Sequence, residues 1–175
     1  ETGLLVSTEI PGWQHMGGDA WKAQALENTR EMVLQGRNHP SIFLWGVRIK
    51  ESADDDEFYR RTNEIAHRLV PTRPTGGVGN FAHSHLLEDV CTYTDSPHHG
   101  DNRGCAARGS ITREKDKGYL ISEYNGHMFP TKAFDCEDKR LEHALRHARV
   151  LSDAAKGEGI AGSFGWCMFD YNTHR

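Results

Sequence analysis

Two short apolar runs that end abruptly in charged residues constrain the fold of this chain more than any other feature. The first spans residues 42–47 and leads through a basic stretch to Glu51, and the second spans residues 119–122 and ends at Glu123. Near-continuous apolarity, without polar alternation, is typical of parallel strands that are covered on both faces. Parallel strands need crossover helices, so the chain is predicted to be an α/β protein.

Strand and helix signals alternate along the rest of the chain. One helix is predicted over residues 20–35 with Asp19 as its N-cap, and a second follows the acidic run 54–57 and reaches about Val70. Residues 141–151 carry apolar side chains at the i, i+3, i+4, i+7 spacing of an amphipathic helix. Repeated strand–helix units predict a parallel sheet with right-handed crossovers. The six predicted strands are residues 4–7, 42–47, 76–79, 90–93, 119–122 and 160–169.

Two parallel architectures are compatible with this alternation. An open doubly wound sheet normally carries a glycine-rich nucleotide turn early in the chain, and the glycines at residues 76–79 are too few and wrongly placed for one. A (β/α)8 TIM-type barrel is therefore favoured, although a complete one has eight strands and takes ~250 residues. The sequence predicts a partial barrel over residues 1–175, with about six units and its start missing. Open strand edges in such a piece invite self-association.

Composition excludes several classes of function. The chain has 37% hydrophobic and 26% charged residues, which is typical of a globular protein and not of a disordered one. Its formal net charge of −4 gives no basic surface for a nucleic-acid partner. No apolar stretch approaches the ~20 residues of a membrane span, and no signal-peptide pattern opens the chain. The compartment stays unknown, since a bacterial cytoplasm or periplasm would suit a soluble chain of this kind.

Cysteine and histidine patterns do not predict a metal site. The four cysteines are widely spaced without a CxxC pair, which indicates mostly free thiols and leaves one disulfide open. A metal-dependent hydrolase is one hypothesis for the function, because a histidine-rich segment could supply metal ligands. The spacing of these residues, however, matches no known ligand set. The candidates are His83, His85, His98, His99 and His127, with Asp95 or Asp101.

Polar residues at the ends of the predicted strands carry the chemistry. In a barrel the active site is built at the C-terminal ends of the strands. Glu51 and Glu123 end two apolar strands at equivalent positions, as a double-displacement glycosidase requires of its two carboxyl groups. The alternative is that each glutamate is simply the first polar residue after a buried strand. The other strand-end residues are Glu9, Trp13, His15, Asp95, Tyr124, Asn125, His127, Trp166 and Asp170.

Four stretches of the sequence together resemble one enzyme family. "RNHPSIFLWGVRIKES" resembles the segment that holds the acid/base in glycoside hydrolase family 2, and "YLISEYNGHMFPTK" resembles the segment that holds its nucleophile. "GLLVSTEIPGW" and "GSFGWCMFDYNTH" resemble the third and the last barrel strands of β-galactosidase-like members. The resemblance covers almost the whole chain, from strand three to strand eight, and the four stretches are specific only when they are taken together.

The resemblance implies a retaining β-glycosidase with a carbohydrate substrate. By position, Glu51 matches the general acid/base and Glu123 the nucleophile. The ending "FDYNTH" favours β-galactosidase-like over β-glucuronidase-like specificity. No cofactor is required, although some members use a magnesium or sodium ion near the site.

Six further residues are predicted to contact the sugar. Trp166 matches the aromatic residue that lines the sugar site, since an indole suits the apolar C–H face of a pyranose. Tyr124 would hold the nucleophile in its attacking rotamer, while a core tryptophan and a packed tyrosine remain the alternatives. The remaining predicted contacts are His15, Lys50, His127 and Asp170.

Lys50 departs from the family pattern, which usually has Asn at this position. A lysine can donate to a sugar hydroxyl, but its charge favours the ionised form of the neighbouring Glu51 and lowers the pKa of that carboxyl. A general acid needs a raised pKa. The substitution therefore predicts weak activity, and a catalytically silent or truncated carbohydrate-binding barrel remains the alternative function.

Overall fold

The computed structural model describes residues 3–79, 82–95, 104–126 and 131–169, which form a single parallel sheet with helices on its outer side. The six strands lie in chain order, and every neighbouring pair is parallel. The strands are β1 (Val6–Glu9), β2 (Ile42–Gly46), β3 (Thr75–Val78), β4 (Val90–Asp95), β5 (Gly118–Tyr124) and β6 (Ile160–Gly165). The helices are α1 (Asp19–Gly36), α2 (Asp56–Leu69), α3 (Arg108–Ile111) and α4 (Glu137–Lys156).

The sheet curls towards a barrel. The rings of Phe43 on β2 and Phe164 on β6 approach to 6.5 Å between centroids, although three strands lie between them. This curvature, with helices following most strands, is that of a partial (β/α)8 barrel, which confirms the predicted fold class. Strands β1 and β6 form the two edges of the sheet, and the predicted self-association through them stays a prediction.

The helix starts show what the sequence predicted well and what it did not. The acidic run lies at the start of α2 as predicted, and the carboxylate of Asp55 caps the helix by accepting a hydrogen bond from the Phe58 N–H at 3.0 Å. The prediction of Asp19 as an N-cap was wrong, because α1 begins at Asp19 itself and Gly18 precedes it without a side-chain cap. The short helix α3 lies within a segment for which no regular structure was predicted.

The main core lies between the sheet and the helices. Trp45, Tyr59 and Tyr119 are fully buried there. Val150 and Ala154 of α4 pack into the same layer, against the outer face of β4 and β5. Other fully buried apolar side chains are Val33, Leu44, Val47, Ile49, Ala66, Val78 and Ile121.

Helix α4 presents an unexpected face to the sheet. The regular apolar stripe of its sequence lies outside, with Leu141, Leu145 and Leu151 exposed. The buried face instead carries Arg146, Val150 and Ala154. The helix itself was predicted correctly, but the spacing of its leucines does not mark the side that packs on this sheet.

Two general properties can be read from the described residues. None of the helices in these ranges is long and apolar enough to cross a lipid bilayer. All four cysteines are free thiols, and Cys91 is buried whereas Cys136 and Cys167 are exposed.

Candidate active site

The carboxyl ends of the strands bring Glu51 and Glu123 to one end of the barrel. Glu51 follows β2 and Glu123 lies near the end of β5, with β3 and β4 between these two strands. The ammonium group of Lys50, the residue directly before Glu51, donates to the carboxylate of Glu123 in an ion pair. The two predicted catalytic residues, which are 72 positions apart in sequence, are therefore linked through a single side chain.

A tight turn and two side-chain donors fix Glu51. Its backbone adopts a left-handed conformation with φ +55°, and its N–H donates to the Val78 carbonyl at 2.9 Å. One carboxylate oxygen accepts hydrogen bonds from the indole of Trp13 at 2.9 Å and the amide of Gln14 at 3.2 Å. Left-handed backbone at a non-glycine residue is uncommon and clusters at functional sites. Gln14 shares this conformation with φ +58°.

The surroundings of Glu51 lower its pKa. Burial raises the pKa of this carboxyl, but the hydrogen bonds from Trp13 and Gln14, followed by the Thr94 side chain and the charge of Lys50, outweigh that effect. The lysine thus acts in the predicted direction, although the two hydrogen bonds contribute more to the lowering. In the structure, the environment favours an ionised Glu51 over a protonated one.

An irregularity in β5 directs Glu123 into the site. The pairing of β4 with β5 runs from Tyr93 with Ile121 directly to Thr94 with Glu123, so that Ser122 is an extra residue on β5. Such a bulge re-aims the side chains that follow it. Ser122 lines the barrel interior, whereas Tyr124 points to the helix side. Glu123 lies between them with its side chain only 13% exposed.

Trp166 completes the rim of this carboxylate cluster. Its backbone N–H donates to the Tyr124 carbonyl at 2.9 Å, which fixes the chain after β6 beside the end of β5. Its ring is 43% exposed, and the Lys50 ammonium lies 5.2 Å from the ring centroid. This distance is that of a cation–π contact. Trp166 therefore lies beside Lys50 and is not a core tryptophan, and its predicted contact with the sugar stays a prediction.

The family model that matches this chain describes the same architecture. The model for "Glycosyl hydrolases family 2, TIM barrel domain" matches residues 7–144. The chain belongs to glycosyl hydrolase family 2. The matched range includes Glu51 and Glu123 together with the loop that carries Trp13 and Gln14.

Two proteins of similar sequence support the same family assignment. A β-galactosidase of Thermoanaerobacterium thermosulfurigenes is 52% identical over 176 residues, which is 100% of this chain and 25% of that protein. A β-galactosidase of Thermoanaerobacter pseudethanolicus is 49% identical over 173 residues, covering 99% of this chain and 22% of its own length. The chain thus spans about a quarter of the length of the curated relatives that it matches.

A solved structure shares the fold. A putative β-galactosidase from Bacteroides fragilis superposes with a TM-score of 0.71, covering 94% of this chain and 27% of that chain. At 22% sequence identity, this likeness supports the barrel fold and not a particular specificity.

Other predicted contacts of this family 2 chain fall in different places. Tyr124 is buried against α4, where its ring meets that of His147 at 5.5 Å, and burial raises the pKa of its phenol. The prediction that Tyr124 holds the nucleophile needs correction, because the shift in β5 turns its side chain outward into the core. His15 is exposed in the loop after β1, and its N–H donates to the Trp13 carbonyl at 2.6 Å. His127 and Asp170 lie outside the described residues.

Three residues at the site were not among the predicted contacts. Trp13 and Gln14 hold Glu51, and Glu9 at the end of β1 is a third carboxyl beside Lys50 and Glu123. Burial raises the pKa of Glu9, the charge of Lys50 opposes this rise, and the charge of Glu123 adds to it. The sequence signal for Glu9 and Trp13 was their place after the first strand, but nothing local indicated their partners.

The described residues do not form a metal centre. No three of their histidine, cysteine, aspartate or glutamate side chains converge as a group that could hold an ion. His85, one of the histidines considered as a ligand, pairs with Asp56 at 3.0 Å on the surface. Asp95 accepts a hydrogen bond from the Ala106 N–H at 2.6 Å. The carboxylate of Glu51 accepts hydrogen bonds from Trp13 and Gln14. The family's magnesium or sodium ion stays a prediction for this chain.

Proposed function

We propose that this chain carries the two catalytic carboxyl groups of a retaining β-galactosidase, with Glu123 as nucleophile and Glu51 as general acid/base. The observation that carries the proposal is the contact of Lys50 with Glu123. It brings the ends of β2 and β5 together around one small site. Two carboxyl groups separated by about 5 Å are what a retaining mechanism requires. Family membership and the names of the two close relatives support the reaction class.

The reaction would proceed in two steps. In the first, Glu123 attacks the anomeric carbon while the carboxyl of Glu51 protonates the departing glycosidic oxygen, which leaves a covalent glycosyl-enzyme. In the second, the Glu51 carboxylate removes a proton from water as that water attacks the anomeric carbon and releases Glu123. The exposed face of Trp166 offers an apolar platform for the sugar ring.

The environment of Glu51 suits the second step better than the first. Trp13 and Gln14 orient the carboxylate and stabilise its charge, which keeps a base ready for water. The same hydrogen bonds, with Lys50, disfavour the protonated form that the first step uses. We therefore expect protonation of the leaving group to limit the rate on substrates with poor leaving groups.

Galactose is the proposed sugar because of the relatives. The two proteins that match along nearly the whole chain, at 52% and 49% identity, are both named β-galactosidase. Terminal β-linked galactose is accordingly the substrate class that we propose for the protein to which this chain corresponds.

One observation favours a second candidate, a carbohydrate-binding barrel without turnover. The Lys50 ammonium is ion-paired with the carboxylate of Glu123 and lies over the ring of Trp166, so it would block a sugar from binding between them. In this alternative the ion pair keeps Glu123 from attacking.

A mechanism-based sugar separates the two candidates. Incubation with 2-deoxy-2-fluoro-β-galactosyl fluoride should give one adduct by intact mass, mapped to Glu123 by peptide sequencing. The fluorine destabilises the oxocarbenium-like transition state of both steps, and the fluoride leaving group needs little acid help, so the intermediate accumulates. The Glu123→Gln variant is the matched control and should stay unlabelled. Calorimetric binding of galactose by a folded chain that forms no adduct would support the second candidate instead.

A further inference from the structure

Each of the two proposed catalytic carboxyl groups has an exposed tryptophan near it. Trp166 lies over the ammonium of Lys50, the partner of Glu123, and is 43% exposed. Trp13 donates its indole N–H to Glu51 at 2.9 Å and is 64% exposed. The proposed mechanism uses the face of Trp166 for the galactose ring, but of Trp13 it uses only the N–H.

The hydrogen bond to Glu51 does not by itself account for a tryptophan at position 13. Gln14 donates to the same oxygen of Glu51 at 3.2 Å through a polar side chain. A polar residue can therefore orient this carboxylate without exposing apolar surface to water, which is unfavourable in proportion to the area exposed. The exposed indole of Trp13 indicates a second role for this side chain.

The loop after β1 holds the Trp13 ring at the carboxyl ends of the strands. Trp13 and Lys50 form an isolated parallel bridge, and the N–H of Gln14 donates to the Lys50 carbonyl at 2.8 Å. Gly12 lets the chain pass close to Ile49, because its φ is +144° and a Cβ there would lie 2.9 Å from the Cδ1 of Ile49. The backbone on both sides of the ring is thus anchored to the segment that follows β2. A ring held in this way loses little conformational freedom when a ligand packs on it.

We propose that Trp13 is a specificity-determining residue, whose exposed indole packs on the leaving group and favours leaving groups that contain a sugar ring. The inference rests on the proposed function, in which Glu51 protonates the glycosidic oxygen. That oxygen joins galactose to the leaving group, so the leaving group lies next to the acid and hence next to Trp13. An indole suits the apolar C–H face of a pyranose. The exposed His15, two residues further on, adds a polar group for the sugar hydroxyls.

Two substrates with the same galactose and different leaving groups test the proposal. Lactose carries a second sugar ring, and trifluoroethyl β-galactoside has a leaving group of similar acidity without a ring. We expect Trp13→Ala to lower kcat/KM for lactose by about tenfold more than for the trifluoroethyl galactoside. Trp13→Phe, which keeps an apolar ring, should shift this ratio by less than about threefold. Both variants lose the hydrogen bond to Glu51, so that loss cancels when they are compared. An equal fall for both substrates in W13A would overturn the proposal, because Trp13 would then act only through Glu51.

Two control variants separate the ring of Trp13 from other effects. Gln14→Ala removes the second hydrogen bond to Glu51 and should keep the ratio between the two substrates near the native value, even where both rates fall. A change of ratio in Q14A as large as that in W13A would contradict the proposal, because selectivity would then follow from the orientation of the acid. Leu151→Ala truncates an exposed apolar side chain on α4 and should leave both rates near native.

A binding measurement tests the same subsite without turnover. In saturation-transfer NMR of lactose on the Glu123→Gln chain, protons of both sugar rings should receive saturation. Adding W13A should reduce the glucose signal relative to the galactose signal by about threefold or more, and adding W13F should largely keep it. A glucose signal that is absent in E123Q, or unchanged in E123Q/W13A, would refute the subsite. No adduct on Glu123 of the native chain with the 2-fluoro sugar would instead refute the proposed function, whatever the glucose signal shows.

Discussion

Arg48 and Lys50 lie two residues apart on the segment that follows β2, yet their ion pairs differ in burial and in the number of groups that surround the cation. The guanidinium of Arg48 is 2% exposed, pairs with Asp54, lies 4.0 Å from Glu88 and donates to the His85 carbonyl at 2.9 Å. The same group stacks over a tyrosine ring at 4.5 Å. Lys50 is 23% exposed, pairs with Glu123 and lies over the ring of Trp166.

The difference separates a cation that is fixed in the core from one that lies at the proposed active site. Arg48 has several fixed partners and joins β2 to the loop before β4, so any movement would leave buried charge without a partner. Lys50 contacts the Glu123 carboxylate and the Trp166 ring, both at the carboxyl ends of the strands, where solvent reaches it. We therefore expect the ion pairs of Arg48 to stabilise the fold and the ion pair of Lys50 to affect activity.

The largest expected effect compares the carboxyl partners of the two cations. Glu123→Gln should reduce hydrolysis of an aryl β-galactoside by at least about 10³-fold, because the amide cannot form the glycosyl-enzyme. Glu88→Gln should stay within about threefold of native in the same assay at a temperature where it is folded, since Glu88 lies away from the proposed reacting atoms. Kinetics on both variants, with folding checked by circular dichroism, would decide this. A comparable loss in E88Q would contradict the assignment of roles.

The second prediction compares the cations themselves by stability. Arg48→Met should cost about 3–5 kcal/mol of unfolding free energy, because it removes the buried guanidinium that pairs with Asp54 and faces the fully buried Glu88. Lys50→Met should change stability by about 1 kcal/mol or less, since its partly exposed pair is solvated when broken. Urea unfolding of both variants measures the contrast. The double variant R48M/E88L should recover much of the R48M loss, and failure to recover would mean that Arg48 acts mainly through Asp54 and the tyrosine ring.

The third prediction concerns the effect of Lys50 on the rate of hydrolysis. Lys50→Asn should raise the hydrolysis rate by about tenfold, because it frees Glu123 and removes one of the influences that lower the pKa of Glu51. The hydrogen bonds from Trp13 and Gln14 remain, so the acid should recover only in part. The gain should be larger for alkyl than for nitrophenyl galactosides, because alkoxide leaving groups depend on protonation. An unchanged or lower rate with both substrate types would count against the inhibitory role of Lys50.

Much of the fold and the central pair of the site could be predicted from the sequence, because both depend on strongly patterned strands. The runs that end at Glu51 and Glu123 mark buried parallel strands, and parallel strands bring their carboxyl ends to one edge. For Tyr124 the sequence left a packed tyrosine open as the alternative but could not decide for it, because a single extra residue in β5 reverses which side chains face the interior. The hydrogen bonds from Trp13 and Gln14 to Glu51 depend on left-handed backbone conformations at Gln14 and Glu51, which local sequence propensity does not predict.

The smallest expected effect is a change in the pH dependence of stability at the Arg48 cluster. Burial raises the pKa of Glu88, and the charge of Arg48 only partly opposes this rise. The folded chain therefore keeps a proton on Glu88 at pH values where the unfolded chain has lost it, so stability falls as pH rises from the ordinary glutamate pKa through the raised one. Urea unfolding across this range should show a weaker fall for Glu88→Gln than for native, while Glu64→Gln should parallel the native chain. An identical slope in E88Q would mean that Arg48 compensates the buried charge fully, and that the two cations differ in exposure but not in how well they hold their carboxylates.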